Sequence, residues 1–223
     1  SLGIHAQRFA NWDIKETWIT KLPFYKKLFS PYRLFAKSAF ESLDLSMYDI
    51  VISSSNAYMA KAVRTKNGKH ICYCHTPPRS LYGYTTMTDW KKNPLVRMVG
   101  YLINHYMRII DFEVAQRVDH FIANSKETQR RIEKFYRRES QVIYPPVDLI
   151  ENYQEKKDKG YFLYVGRLAK SKNVDLAIEA CTNLNLKLKL VGSGKGLEHL
   201  KSLAGPTVEF MGAVDDKQLH ELY

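Results

Sequence analysis

Residues 161–180, "YFLYVGRLAKSKNVDLAIEA", open as an apolar run, close as an amphipathic helix, and carry Gly166, Arg167 and Lys172 between the two. A strand that ends in glycine ahead of a helix gathers unsatisfied backbone N–H groups and the positive end of the helix dipole at one point. That arrangement binds anions. Arg167 adds a planar fork matched to phosphate oxygens, and Lys172 adds a point charge. The loop "SGKG" after the next strand repeats the pattern, with Gly192, Gly194 and Gly196 permitting close backbone approach beside Lys195. Either loop alone equals an ordinary glycine turn with solvated lysines. Two at equivalent ends of neighbouring strands favour a nucleoside diphosphate.

A second group lies earlier. His75 follows the apolar run "KHICYC" and precedes Pro77-Pro78, so the prolines would fix the loop that presents it. The plain alternative is a histidine that only ends a strand. Arg79 would reach a phosphate, or is a surface arginine. No Asp-x-Asp pair occurs, and the adjacent Asp215-Asp216 reads as a cap for the last helix. Cys72 and Cys74 share a strand face, and no second Cys/His pair stands at zinc-ligand spacing. No metal is expected.

Helix and strand signals alternate along the chain, which predicts an α/β fold with mainly parallel sheets. "YDIVISSS" (48–55) reads as a buried strand, and "KHICYCHTPPR" (69–79) as one broken by its prolines. "HFIANS" (120–125) is a third, its Ser125 N-capping the helix "KETQRRIEKFYRR". "SQVIYPPVD" (140–148) is a fourth, and residues 94–118 form one long helix. The polar stretch 148–160 reads as a linker or crossover. Beyond it come strands at 161–166, 186–192 and 207–212, helices at 173–183 and about 196–204, and the start of another helix at "DKQLHELY". Two α/β units are expected, 1–147 and 148–223, facing a cleft, both incomplete.

Bulk properties bound the function. A composition 45% hydrophobic and 26% charged is that of an ordinary globular protein. An odd three cysteines argue against a disulfide framework and for a reducing, cytoplasmic compartment. No stretch approaches the roughly 20 apolar residues that cross a bilayer. The start lacks the features of a signal peptide, and the absence of an initial Met suggests a processed or truncated beginning. Of the formal charge of +11, residues 1–150 hold 23 Lys/Arg against 13 Asp/Glu, a net of +10. The first part therefore faces an anionic partner, whether phosphate groups, an acidic membrane or nucleic acid, or is a solvated basic surface. No RRM, zinc-finger or helix-turn-helix signature supports nucleic acid. The segment 15–37 mixes Trp, Phe, Tyr and Leu with Lys and Arg. It suits a membrane interface as well as a packed edge, although Pro23 and Pro31 interrupt any single helix.

The strings "YFLYVGRLAKSKNVDLAIEA", "LKLKLVGSGKGLEHLK" and "VEFMGAV" resemble the nucleotide-sugar half of family 4 glycosyltransferases of the GT-B fold. "FESLDLSMYDIVISSS", "HICYCHTPPR", "FIANSKETQRRI" and "VIYPPVD" resemble the acceptor half, in order. The likeness spans residues 40–223 and is closest to mannosyltransferase-like members that build surface polysaccharides. It implies a retaining transfer of a hexose from a GDP- or UDP-sugar to a saccharide or lipid-linked acceptor, at the inner face of a membrane. It assigns Arg167 and Lys172 to the donor diphosphate. Gly166, Gly192, Gly194, Met211 and Gly212 fall to the nucleotide loops, and His75 to the reaction centre. No cofactor or metal is implied. Three departures stand out. "SLYGY" follows "HTPPR" without the usual acid, the family's first strand would precede residue 1, and its Glu-x7-Glu segment would follow residue 223. The alternatives are an inactive fragment that only binds sugar nucleotide or a partner, and a basic nucleic-acid-binding module.

Overall fold

The computed structural model describes residues 9–25, 29–56, 59–84, 94–147 and 158–223. The chain divides into two compact units. The first comprises the described parts of 1–84 and 98–146, and the second those of 85–97 and 147–223.

In the first unit, a 3₁₀ turn (Trp18–Lys21), α1 (Phe29–Tyr32), a second 3₁₀ turn (Arg33–Phe35) and α2 (Ala36–Glu41) replace the single helix that Pro23 and Pro31 forbid. Then come β1 (Ile50–Ser55), a 3₁₀ turn at Ala60–Ala62, β2 (Lys69–Cys74), the 23-residue α3 (Pro94–Gln116), whose first four residues are grouped with the second unit, β3 (His120–Ala123), α4 (Lys126–Tyr136) and β4 (Gln141–Val142). The strands pair in parallel in the order β1-β2-β3-β4, with Ser55 level with Cys74 and Cys74 level with Ala123. Strand alternation turns His70, Cys72 and Cys74 inward together. Cys72, Cys74, Phe121 and Ala123 pack against Val118 of the α3–β3 turn and Ile132 and Tyr136 of α4. Ser125 caps α4 as expected, its Oγ accepting from the Thr128 N–H at 3.2 Å.

Two expectations are corrected here. The strand at 48–55 is buried on one face only: Ser53 and Ser55 point inward, while Ile50 and Ile52 are 61% and 70% exposed. The pleat sends alternate residues to opposite faces, and β1 has one hydrogen-bonded neighbour among the described strands. The strand at 140–148 shrinks to Gln141–Val142, because prolines 145 and 146 have no N–H to give a ladder.

The second unit holds β5 (Phe162–Val165), a 3₁₀ turn (Lys170–Lys172), α5 (Val174–Asn183), β6 (Leu188–Val191), α6 (Leu197–Leu203), β7 (Val208–Gly212) and α7 (Asp216–Leu222). Its strands run parallel in the order β5-β6-β7. A register shift sets Val191 against Gly212, leaving Met211 as the extra residue of a bulge. Leu168, Val174, Ile178, Leu188, Leu190 and Leu200 fill the core. Asp215 caps α7 through the Gln218 N–H at 2.8 Å, as its position in the sequence suggested. Of the expected linker, residues 148–157 lie outside the described residues.

Candidate functional site

In a parallel sheet all C-terminal strand ends share one edge, and each unit carries its candidate residues there. In the second unit the three loops after β5, β6 and β7 are stitched together by backbone hydrogen bonds. Gly166 N–H donates to Val191 O (2.9 Å), Leu168 N–H to Ser193 O (3.0 Å), Gly196 N–H to Leu168 O (3.1 Å) and Gly192 N–H to Gly212 O (2.7 Å). The close approach fixes two residue types. A Cβ on Gly192 would lie 1.9 Å from the Gly166 carbonyl oxygen, and one on Gly194 would lie 2.2 Å from that of Leu168. These glycines thus have a reason within the fold itself, where the sequence suggested only approach to a ligand. Gly212 differs, with φ +70 and open space around it.

Arg167 and Lys172 are both exposed on the first of these loops. The Arg167 carbonyl accepts from the Tyr164 hydroxyl at 3.0 Å, which anchors the backbone beneath the guanidinium. The helix expected at 173–183 is found at Val174–Asn183. A 3₁₀ turn intervenes, and Asn173 at φ 48 delays α5 to Val174. Asparagine tolerates that left-handed conformation. Lys172 ends the 3₁₀ turn, two residues before α5.

In the first unit His75 is held from several sides. Its N–H donates to Ser55 O (2.9 Å), its carbonyl accepts from Thr128 Oγ1 (3.0 Å), and its Nε2 lies 2.8 Å from Ser54 Oγ. Tyr73 packs edge-on to the ring at 5.3 Å. Pro77 and Pro78 are buried, while Arg79 is exposed and its carbonyl accepts from Tyr84 N–H at 3.1 Å. His75 is exposed at the C-terminal edge of the sheet.

Two groups escaped the sequence reading. Lys61 and Asp111, 50 residues apart, form an ion pair at 1% and 0% side-chain exposure, and the Tyr82 hydroxyl donates to the other Asp111 oxygen at 3.0 Å. Lys61 N–H lies 3.4 Å from Ser55 Oγ, in the residue whose carbonyl holds His75. Burial, and then the Asp111 charge, push the Tyr82 hydroxyl up, while burial raises Cys74 to about 12. A signal for Asp111 existed, since it shares the inward face of α3 with Met107 and Val114. The other is Arg131, which donates to Thr76 Oγ1 (3.1 Å), pairs with Glu127 (3.0 Å) and lies over the Tyr84 ring at 4.3 Å. It braces the proline loop from α4. Among the described residues no group of three or more His, Cys, Asp or Glu is placed to hold a metal ion, and no helix is long and apolar enough to cross a membrane. The segment 15–37 is mixed, with Ile19 buried and Phe24 and Phe35 exposed; residues 26–28 lie outside the described ones.

Residues 8–151 match the family model described as Glycosyltransferase Family 4, and residues 148–223 match that described as Glycosyl transferases group 1. No curated protein matches the chain. Among solved structures it is similar to sucrose-phosphate synthase from Thermosynechococcus elongatus, at 16% identity and a TM-score of 0.55, covering 89% of this chain and 53% of that one. It is also similar to the lipopolysaccharide outer core galactosyltransferase WaaB in its apo form, at 19% identity and a TM-score of 0.50, covering 86% and 52%. The chain thus spans about half the length of these two structures. Both likenesses are of fold: an α/β architecture with parallel sheets, of the GT-B type.

Proposed function

The chain belongs to glycosyltransferase family 4, and from that premise we propose that it forms part of a retaining, metal-independent hexosyltransferase. The donor is a GDP- or UDP-sugar, with mannose the first choice of hexose, and the acceptor is a saccharide or a lipid-linked saccharide in surface polysaccharide synthesis. Residues 148–223 take the donor and residues 1–147 the acceptor. The observation that carries the reading is the stitched loop edge of β5–β7, a fixed backbone surface with Arg167 and Lys172 exposed on it.

The chemistry follows from charge. As the glycosidic bond breaks, negative charge grows on the leaving diphosphate, and cations already in place stabilise that state more than the ground state. Gly166, Gly192, Gly194, Met211 and Gly212 line the nucleotide. His75, oriented through Ser54, contacts the donor sugar near the reacting carbon, and Arg79 reaches an acceptor or donor phosphate. The basic surplus of the first part faces an anionic membrane, where a lipid-linked acceptor resides.

Calorimetric titration with GDP- and UDP-sugars tests the proposal. One of them binds, and Arg167→Ala weakens it at least about tenfold, the worth of one charge-assisted hydrogen bond of about 1.5 kcal/mol. If neither nucleotide sugar binds, or Arg167→Ala leaves affinity and transfer unchanged, the donor site is elsewhere.

A further inference from the structure

A buried ion pair such as Lys61 and Asp111 gains little net stability over apolar residues of the same shape, because both charges have left water. Its place in the fold gives it a second role. Lys61 belongs to the turn that follows β1, and its N–H lies 3.4 Å from Ser55 Oγ. Asp111 turns its two oxygens to two different loops. Oδ1 pairs with Lys61 Nζ, and Oδ2 accepts from the Tyr82 hydroxyl at 3.0 Å. Tyr82 ends the segment 75–82, which His75 begins.

α3 extends this grip along one face. Asn104, Arg108 and Asp111 stand at i, i+4 and i+7, and they bind three consecutive residues of the segment. Asn104 Nδ2 donates to Ser80 O at 3.3 Å, Arg108 Nη1 donates to Leu81 O at 3.3 Å, and Asp111 accepts from Tyr82. The Tyr82 ring stacks on Phe135 of α4 at 4.0 Å. Side chains must hold the segment here, because Pro77 and Pro78 have no N–H with which to continue the ladder of β2.

We propose that Asp111 is a positioning residue for His75, tying the turn after β1, through Lys61, to the end of the proline segment, through Tyr82. Ser54 Oγ lies at the mouth of the first loop and the His75 ring at the start of the second, so their 2.8 Å contact depends on both being held. That contact fixes which ring nitrogen carries the proton and which way the ring faces. Asp111, at 0% exposure, is sealed from any substrate, so its effect passes through His75. The link from His75 to catalysis rests on the function proposed above; the link from Asp111 to the His75 ring does not.

The test is nitrogen-edited NMR of the histidine rings in the full chain, with His75→Gln to identify the signal. Tyr82→Phe keeps the ring on Phe135 and deletes only the hydroxyl bound to Asp111. The triple variant Lys61→Met, Asp111→Leu, Tyr82→Phe removes the cluster without leaving a buried charge unpaired. In both, the His75 ring nitrogens should shift toward the mixed tautomers of free imidazole. The His75 amide, bonded to Ser55 O, should exchange at least about fivefold faster. His70, buried on the same sheet and 2.8 Å from Ser53 Oγ, serves as internal reference, and its ring signals should stay in place. The proposal is overturned if the His75 ring signals match the wild type in these variants, however far the melting temperature falls, or if His70 moves as much as His75. Tyr82→Phe decides by itself should the triple variant fail to fold. The ring measurement needs no nucleotide sugar, and calorimetric titration tests the proposed activity alone, so either reading fails without the other.

Discussion

At Gly192 an added methyl group has nowhere to go, because the backbone oxygen it meets belongs to a loop held by its own hydrogen bonds. Gly192→Ala should destabilise the second unit by about 2–4 kcal/mol. Gly212→Ala, with a left-handed backbone but open space, should cost only about 1 kcal/mol. Urea unfolding of the two variants checks the ranking; equal midpoints would mean the loops separate easily. The sequence showed that glycines recur at these strand ends, yet not which are obligatory, since that depends on a carbonyl 26 residues away in the chain. Lys61 and Asp111 were hidden for the same reason. Each looks unremarkable in its own segment, and the pair exists only once α3 packs over the turn at Ala60–Ala62.

Elements were more legible than contacts. Periodicity located α3 and α4, and the Ser125 cap followed from local chemistry, because those signals act within a turn or two of the chain. The 3₁₀ turn before α5 was not legible, since it hinges on the backbone conformation of Asn173. The end of α3, expected at 118 and found at Gln116, is secured from far along the sequence. Arg138, after α4, donates to the carbonyls of Ala115, Gln116, Val118 and Asp119 at 2.6–3.3 Å. One guanidinium satisfies carbonyls that a helix C-terminus leaves open. Arg138→Met should therefore cost about 1.5–3 kcal/mol and speed amide exchange selectively in the last turn of α3 and at the start of β3. Uniform protection loss across the unit would argue against a capping role.

For the molecule as a whole, buried titratable groups set the pH range of the first unit. Burial holds the His70 ring below its ordinary 6.5, against the opposing pull of Asp119. The unfolded chain thus takes up a proton that the folded one refuses, and stability falls as pH drops through 6.5. Burial raises the Cys72 and Cys74 thiols above their ordinary 9.0, so above that pH the unfolded chain loses protons the fold retains, and stability falls again. Urea midpoints of this unit should form a plateau between about 6.5 and 9.0. A midpoint that climbs beyond pH 9.0 would contradict the burial of these thiols. The basic character of the first part was visible in composition, but the burial of Asp111 and Lys61 beside exposed Leu102 and Ile109 of α3 was not. One further consequence belongs to β1. Its open side pairs with no described strand, and Ile50 and Ile52 stand in solvent beside it. Such an edge is a template for any extended segment that drifts past. Amide protons on the open side of β1 should accordingly exchange faster than those of β2, which is paired on both sides.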